Sequence, residues 1–159
     1  MSATFDPLAV VGAVGPYIPM DMTDADPIEP IDEAMIVSLV HAFYGRVRRD
    51  AVLGPVFAGV IGADWAPHLA KMCDFWSSVM LRTARYGGRP MQAHAGVPAL
   101  QPEHFALWLE LFRATAREVC PPRAAGRFIA RAEKIAESLR LGIMFQRGIL
   151  PDIPARRAG

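Results

Sequence analysis

The spacing of the large apolar residues constrains the fold most, because they recur at steps of three and four in four separate stretches. In the first stretch Ile36, Val40, Phe43 and Val47 share one face of a helix, and Asp32 and Glu33 precede it, where a helix favours anions. The other three stripes cover residues 69–80, 105–119 and 128–143. The sequence shows no strand-like alternation and no repeat, so we predict an all-α fold of four long helices and one short segment.

Proline and glycine mark the expected helix ends. Gly54 and Pro55 are expected to end the first helix in a turn that carries Phe57, and Asp64 is placed to cap the second helix, which should run to about residue 84 before "RYGGRP" stops it. Three further residues fit the ends of the last two helices: Pro102, Pro122 and Gly148.

The chain of 159 residues suits a single domain. Residues 1–29 are rich in proline, glycine and aspartate and are expected to form an extension outside the core. We therefore predict a helical domain over residues 30–148, followed by a C-terminal tail over residues 149–159.

Composition argues for a soluble, cytoplasmic protein. No apolar run approaches the roughly 20 residues that a membrane span requires. The first basic residue is Arg46, so the positive region of a secretory signal is missing, and Cys73 and Cys120 form no CxxC pair.

Charge is distributed unevenly along the chain. Residues 1–45 carry seven acidic residues and no Lys or Arg, so the remainder has 17 basic and 9 acidic residues, a net charge of +8. These bases are spread over helix faces without the interleaved aromatic residues of a nucleic-acid groove, so we expect solvated faces and no nucleic-acid partner.

Four side chains stand out as candidates for chemistry. Tyr44, His68 and Trp108 lie in register with the apolar stripes of three helices, so a hydroxyl, an imidazole and an indole N–H should point inward. Taken singly, each is more often an ordinary core residue. His94 differs because it lies in the short segment between Pro90 and Pro98. Motifs for hydrolases, nucleotide loops and zinc sites are missing, which leaves an apolar cavity with one axial imidazole, a site suited to haem.

Four motifs carry a family resemblance. "FYGRVRRDAVLGPVF", "WAPHLAKMCDFW", "YGGRPMQAH" and "WLELF" resemble those of the group III truncated haemoglobins, from about residue 31 to residue 148. The resemblance implies a globin-like, truncated two-over-two helical sandwich that holds haem b. It implies His94 as the proximal iron ligand, and Tyr44, His68 and Trp108 as distal groups that stabilise the ligand. Residues expected to line the haem pocket are Phe43, Phe57, Met72, Phe75, Trp76 and Phe105. Arg85 and Arg89 remain open as partners of the haem propionates.

The resemblance also implies a function. The protein should bind O2, and also NO, CO or peroxide, at ferrous haem. We expect redox chemistry, either nitric oxide detoxification or peroxidase-like turnover with an external reductase, rather than bulk oxygen transport. The alternative is a haem-based gas or redox sensor that acts through a protein partner, and a haem-free helical module is a third reading.

Overall fold

The computed structural model describes residues 30–149, and within this range the chain forms helices and turns but no β-strand. The predicted extension over residues 1–29 and the tail beyond residue 149 lie outside the described residues. Six helices follow one another: α1 (Glu33–Arg49), α2 (Leu53–Ile61), α3 (Ala66–Leu81), α4 (Pro90–Ala95), α5 (Pro102–Val119) and α6 (Pro122–Gln146).

The prediction of a non-helical turn at Gly54 and Pro55 is wrong, because both residues lie at the start of helix α2. Proline is tolerated there, since the first N–H groups of a helix have no intrahelical acceptor. The Asp50 carboxylate accepts the N–H groups of Val52 at 2.9 Å and Leu53 at 2.8 Å. Phe57 is therefore carried by a helix and not by a turn.

Most of the other predicted boundaries agree closely with the structure. The Asp32 carboxylate accepts the Met35 N–H at 2.8 Å and caps α1. The Asp64 carboxylate accepts the Ala66 N–H at 3.1 Å, although Trp65 is the N-cap residue of α3. As predicted, α5 begins at Pro102, and α6 begins at Pro122 and ends just before Gly148. However, α3 stops at Leu81, short of residue 84, because Arg82 adopts a left-handed conformation with φ 57°.

Helix α1 occupies the centre of the fold and packs against α2, α3 and α5, while α5 and α4 both pack on α6. The largest apolar cluster contains Phe43, Phe112 and Phe128, each 1% exposed or less. Phe112 is stacked between Trp76 at 5.1 Å and Trp108 at 5.2 Å, measured between ring centroids. These rings join α1, α3, α5 and α6 into one core.

A second apolar cluster lies at the other end of α5 and α6 and includes Phe105, Leu139 and Ile143. The short helix α4 packs here, where Met91 lies over Gly142 so closely that a methyl group at position 142 would overlap it. Trp108 contacts both clusters. The short helix is therefore held against α6, although it has only six residues. Within residues 30–149, no helix is long and apolar enough to cross a membrane.

Candidate functional site

Tyr44 lies on the inner face of α1 and is 4% exposed. Its ring contacts Phe43 and His68, each with 4.9 Å between ring centroids, and Phe57 of α2 at 6.1 Å. Burial raises the pKa of the Tyr44 phenol well above its ordinary value, and the nearby Cys73 thiol raises it further. The hydroxyl therefore keeps its proton at physiological pH and is available as a donor.

His68 lies at the start of α3, with its ring perpendicular to that of Tyr44 at 87°. Its Nε2 atom is buried and has no hydrogen-bond partner within residues 30–149. Burial lowers the pKa of His68, and the positive charges of Lys71 and His94 lower it further. The imidazole is therefore biased towards its neutral form, with one buried polar nitrogen left for another molecule.

Trp108 of α5 lies beside this pair. Its ring meets Phe43 edge-on at 5.3 Å and stacks on Phe112 at 5.2 Å. Tyr44 and His68 are thus in direct contact, whereas Trp108 joins them through the Phe43 ring. None of the three predicted distal side chains makes a hydrogen bond to any other part of the chain between residues 30 and 149. Of these groups the Nε2 atom of His68 is the one that is fully buried, and buried polar atoms without partners are uncommon, so this nitrogen is suited to a bound ligand.

His94 lies on α4 and is half-buried. Its Nδ1 atom is 2.6 Å from the Pro90 carbonyl oxygen. A carbonyl can only accept, so Nδ1 carries a proton and donates, and in the neutral imidazole the lone pair then lies on Nε2. The ring lies 6.5 Å from that of Phe105. In metal sites, a hydrogen bond from the ring nitrogen that does not bind the metal orients the imidazole ligand in this way.

These side chains fit a haem group. The hydrogen bond to Pro90 orients the Nε2 atom of His94, and His68 lies near enough for a positive charge on His94 to lower the pKa of His68. The orphaned Nε2 of His68 and the hydroxyl of Tyr44 then provide polar groups for a second ligand. The donor set is one imidazole from the short helix together with polar groups from two long helices, and this chemistry would suit a five-coordinate haem iron.

The remaining predicted pocket residues fall into two groups. Phe57 and Phe105 lie beside Tyr44 and His94, and Met72 is half-buried against the main cluster. Phe75 contacts Tyr86 at 5.2 Å and Trp76 at 5.6 Å. Trp76 is 3% exposed and lies within the core, against Phe112 and Phe128. Contact of each of these residues with haem stays a prediction.

A polar network holds the loop that leads from α3 to α4. The buried Ser77 hydroxyl donates to Glu33 at 2.6 Å and shares a hydrogen bond with Thr83 at 2.8 Å. Glu33 also pairs with Arg85 at 3.0 Å, and the Tyr86 N–H donates to the Ser78 hydroxyl at 2.9 Å. Arg85, one of the open candidates for a propionate, is thus engaged by Glu33. The network fixes the loop that precedes His94.

The other two histidines lie apart from this cluster. His41 is exposed on α1. The Nδ1 atom of His104 accepts the N–H of Gln101 at 2.9 Å, in a reciprocal cap at the start of α5. His104 therefore has a structural role that occupies one ring nitrogen.

Trp65 is a neighbour of the site that sequence reasoning missed. It is 6% exposed, lies 6.2 Å from His68, and carries the Arg48 guanidinium over its ring at 5.0 Å. It precedes the apolar stripe of α3 and so falls outside the periodic pattern. The available signal was a large aromatic ring directly after Asp64, at the start of α3.

Comparisons with known proteins point in one direction. No protein-family model matches the chain. The chain is 34% identical over 111 residues to a group 3 truncated hemoglobin of Campylobacter jejuni, which covers 68% of this chain and 87% of that protein. It is also 34% identical over 82 residues to a group 1 truncated hemoglobin of a Nostoc species, covering 51% of this chain and 67% of that protein. The crystal structure of a group III truncated hemoglobin from Campylobacter jejuni superposes with a TM-score of 0.68 and 33% identity, over 70% of this chain and 91% of that one.

Proposed function

Since the chain belongs to the group III truncated haemoglobins, and is thus an all-α globin that binds haem and small gaseous ligands, we propose that it uses haem b for redox chemistry on O2 and nitric oxide. In this proposal His94 holds the iron, and Tyr44, His68 and Trp108 stabilise the ligand. An external reductase returns the iron to its ferrous state. Peroxide is a second substrate of the same class.

The proximal side rests on one hydrogen bond. The Pro90 carbonyl accepts from Nδ1 of His94 at 2.6 Å, so the imidazole presents Nε2 in a fixed orientation. Donation to a carbonyl also makes the opposite nitrogen more basic. The bond to the cofactor would in turn anchor α4, which at six residues is too short to be stable by itself.

The observation that carries the proposal is the contact between Tyr44 and His68, two polar side chains that find no hydrogen-bond partner in residues 30–149. The Tyr44 O–H group can donate a hydrogen bond, and neutral His68 either donates or accepts through Nε2. When bound, the haem iron supplies a coordination position and a one-electron redox change. A charge-assisted hydrogen bond from Tyr44 would contribute about 1.5 to 3 kcal/mol to holding a polarised ligand.

Such a set of donors argues against bulk transport. A carrier must release O2 readily, whereas two or three hydrogen bonds to one polarised ligand would slow its release. An O2 molecule that leaves slowly would instead have time to react with nitric oxide. The reaction is balanced: one O2, one NO and one electron from the reductant give one nitrate ion.

Turnover of nitric oxide tests the proposal. The full-length protein with haem and a supplied reductant should consume NO in aerated buffer and form one nitrate per NO, faster than an equal concentration of free haem. Tyr44→Phe should lower the rate, whereas Tyr86→Phe, which changes a tyrosine on the α3 to α4 loop, should not. Consumption no faster than with free haem would contradict the redox proposal and favour the sensor.

A further inference from the structure

A groove of about 320 Å³ lies between the C-terminal end of α3 and the middle of α6. It shares no residue with the candidate haem site. Three apolar residues line it: Val79, Met80 and Ala130. Four basic residues complete the lining: Arg82, Arg127, Arg131 and Lys134. The groove is therefore strongly cationic and partly apolar.

These four cations form no ion pair and no hydrogen bond with any part of the chain between residues 30 and 149. The neighbouring acidic residues of α6 are already engaged, because Glu133 pairs with Arg113 and Glu137 with Arg140, each at 2.8 Å. Arg127 and Arg131 are one turn apart on the helix, where like charges repel. An anionic occupant would relieve this repulsion.

The chain itself contains a segment of the opposite charge. Residues 1–29 hold five acidic residues and no Lys or Arg. Four of the five lie in the last nine positions: Asp21, Asp24, Asp26 and Glu29. Met22 and Ile28 are interspersed with them and could contact an apolar surface.

The segment of residues 21–29 also joins the described chain near the groove. It leads directly into α1, where Glu33 accepts a hydrogen bond from Ser77 near the end of α3 at 2.6 Å. Val79 and Met80 of the groove follow Ser77 by two and three residues. Nine residues can span up to about 30 Å when extended, so the segment can reach the groove from its point of attachment.

We propose that the acidic segment of residues 21–29 docks in the groove of its own chain, with its carboxylates against Arg127, Arg131 and Lys134. Exposed ion pairs are individually weak and would not hold a separate peptide. Tethering raises the effective concentration of the segment to about the millimolar range, so several weak pairs suffice.

Zero-length cross-linking of the full-length protein with a carbodiimide tests this directly, because the chain has two lysines, Lys71 and Lys134. The reaction joins a carboxylate to a lysine amine as an amide, and the carbodiimide takes up the water and leaves as a urea. After trypsin digestion, mass spectrometry should find the peptide of residues 1–46 joined to that of residues 132–140. Lys134→Arg, which keeps the charge, should abolish this product, whereas Lys71→Arg should leave it unchanged.

Charge reversal provides the matched comparison. Arg127→Glu combined with Arg131→Glu should lower the cross-linked yield several-fold, because it replaces attraction by repulsion. Arg49→Glu combined with Arg117→Glu makes the same net change on exposed residues outside the groove and should have little effect. High salt should lower the yield in the wild-type protein, since exposed pairs are screened.

Three results would overturn the proposal. The first is the absence of the product, and if inorganic phosphate then raises the melting temperature, the groove belongs to a small anion. The second is equal cross-linking of the extension to Lys71 and Lys134, which would indicate unspecific contact. The third is a product that joins isotopically heavy and light peptides in a mixed sample as often as like pairs, which would assign the groove to the segment of a second copy.

Discussion

Replacing Tyr44 by phenylalanine removes one hydroxyl from the centre of the candidate site and keeps the ring. The ring is 4% exposed and contacts Phe43 and His68 at 4.9 Å. These edge-to-face contacts should survive in the variant, because phenylalanine has the same ring shape. The change therefore isolates the donor from the packing.

The expected magnitude follows from the state of this hydroxyl. Its pKa is raised by burial, so it is a neutral donor throughout the physiological range, and no acceptor within residues 30–149 competes for its proton. A hydrogen bond to a charged acceptor contributes about 1.5 to 3 kcal/mol. At 1.4 kcal/mol per factor of ten, loss of the bond should speed O2 dissociation by roughly 10 to 150-fold. CO is a poorer acceptor and should respond much less.

Stopped-flow mixing of the oxygenated ferrous protein with excess CO measures the O2 dissociation rate, and photolysis of the CO form gives the CO kinetics. Tyr86→Phe is the matched control, because Tyr86 is also half-buried and packs on Phe75 at 5.2 Å, on the loop before α4. It should leave both rates unchanged.

Equal changes for O2 and CO would refute the reasoning, because they would show that Tyr44 acts through its bulk. An unchanged O2 rate would transfer the donor role to His68 or Trp108. A double-mutant cycle of Tyr44→Phe with Trp108→Phe separates independent donors from a shared network. A coupling energy above about 0.5 kcal/mol indicates the network.

Three further outcomes are expected. Gly54→Ala should destabilise the fold by about 1 to 3 kcal/mol in urea unfolding, because a Cβ there would lie 2.9 Å from the Arg48 carbonyl oxygen, whereas Gly59→Ala on the same helix meets open space and should stabilise it slightly. His68→Gln should resist acid better than the wild type. Because folding lowers the pKa of His68, the unfolded state binds more protons than the folded state near and below the ordinary histidine pKa of about 6.5, so wild-type stability falls as the pH drops through this value. Melting curves from about pH 7.5 to 5 should therefore show a growing difference in melting temperature between the two proteins. Ser77→Ala should cost about 1 to 3 kcal/mol of unfolding free energy, because Glu33 and Thr83 lose their shared partner; an unchanged melting temperature would contradict a structural role for this network.

The long helices could be predicted because their apolar residues repeat at helical spacing and their ends carry local signals. Asp32, Pro102 and Pro122 all mark helix starts as expected. Helix α2 could not be predicted in this way, since Gly54 and Pro55 are breakers by local rules. The glycine is needed for the close approach to the carbonyl oxygen of Arg48, which exists only once α1 and α2 are packed.

The candidate site shows the same division. Register alone predicted that Tyr44, His68 and Trp108 point inward. Their relative placement depends on how α1, α3 and α5 cross, so the sequence did not show that Phe43 stands between Tyr44 and Trp108. Contacts between distant residues leave no local pattern at all.

The central claim is that His94 ligates a haem iron, and the absorption spectrum of His94→Ala tests it most directly. The wild-type protein should show a Soret band and a five-coordinate ferrous spectrum. The variant should lose most of the haem, and added imidazole should restore the wild-type ferrous spectrum by replacing the missing ligand. His104→Ala should keep haem at wild-type stoichiometry, since its ring caps α5. If His94→Ala instead retains full haem with an unchanged ferrous spectrum, the assignment is wrong, and His68 or His104 becomes the candidate ligand.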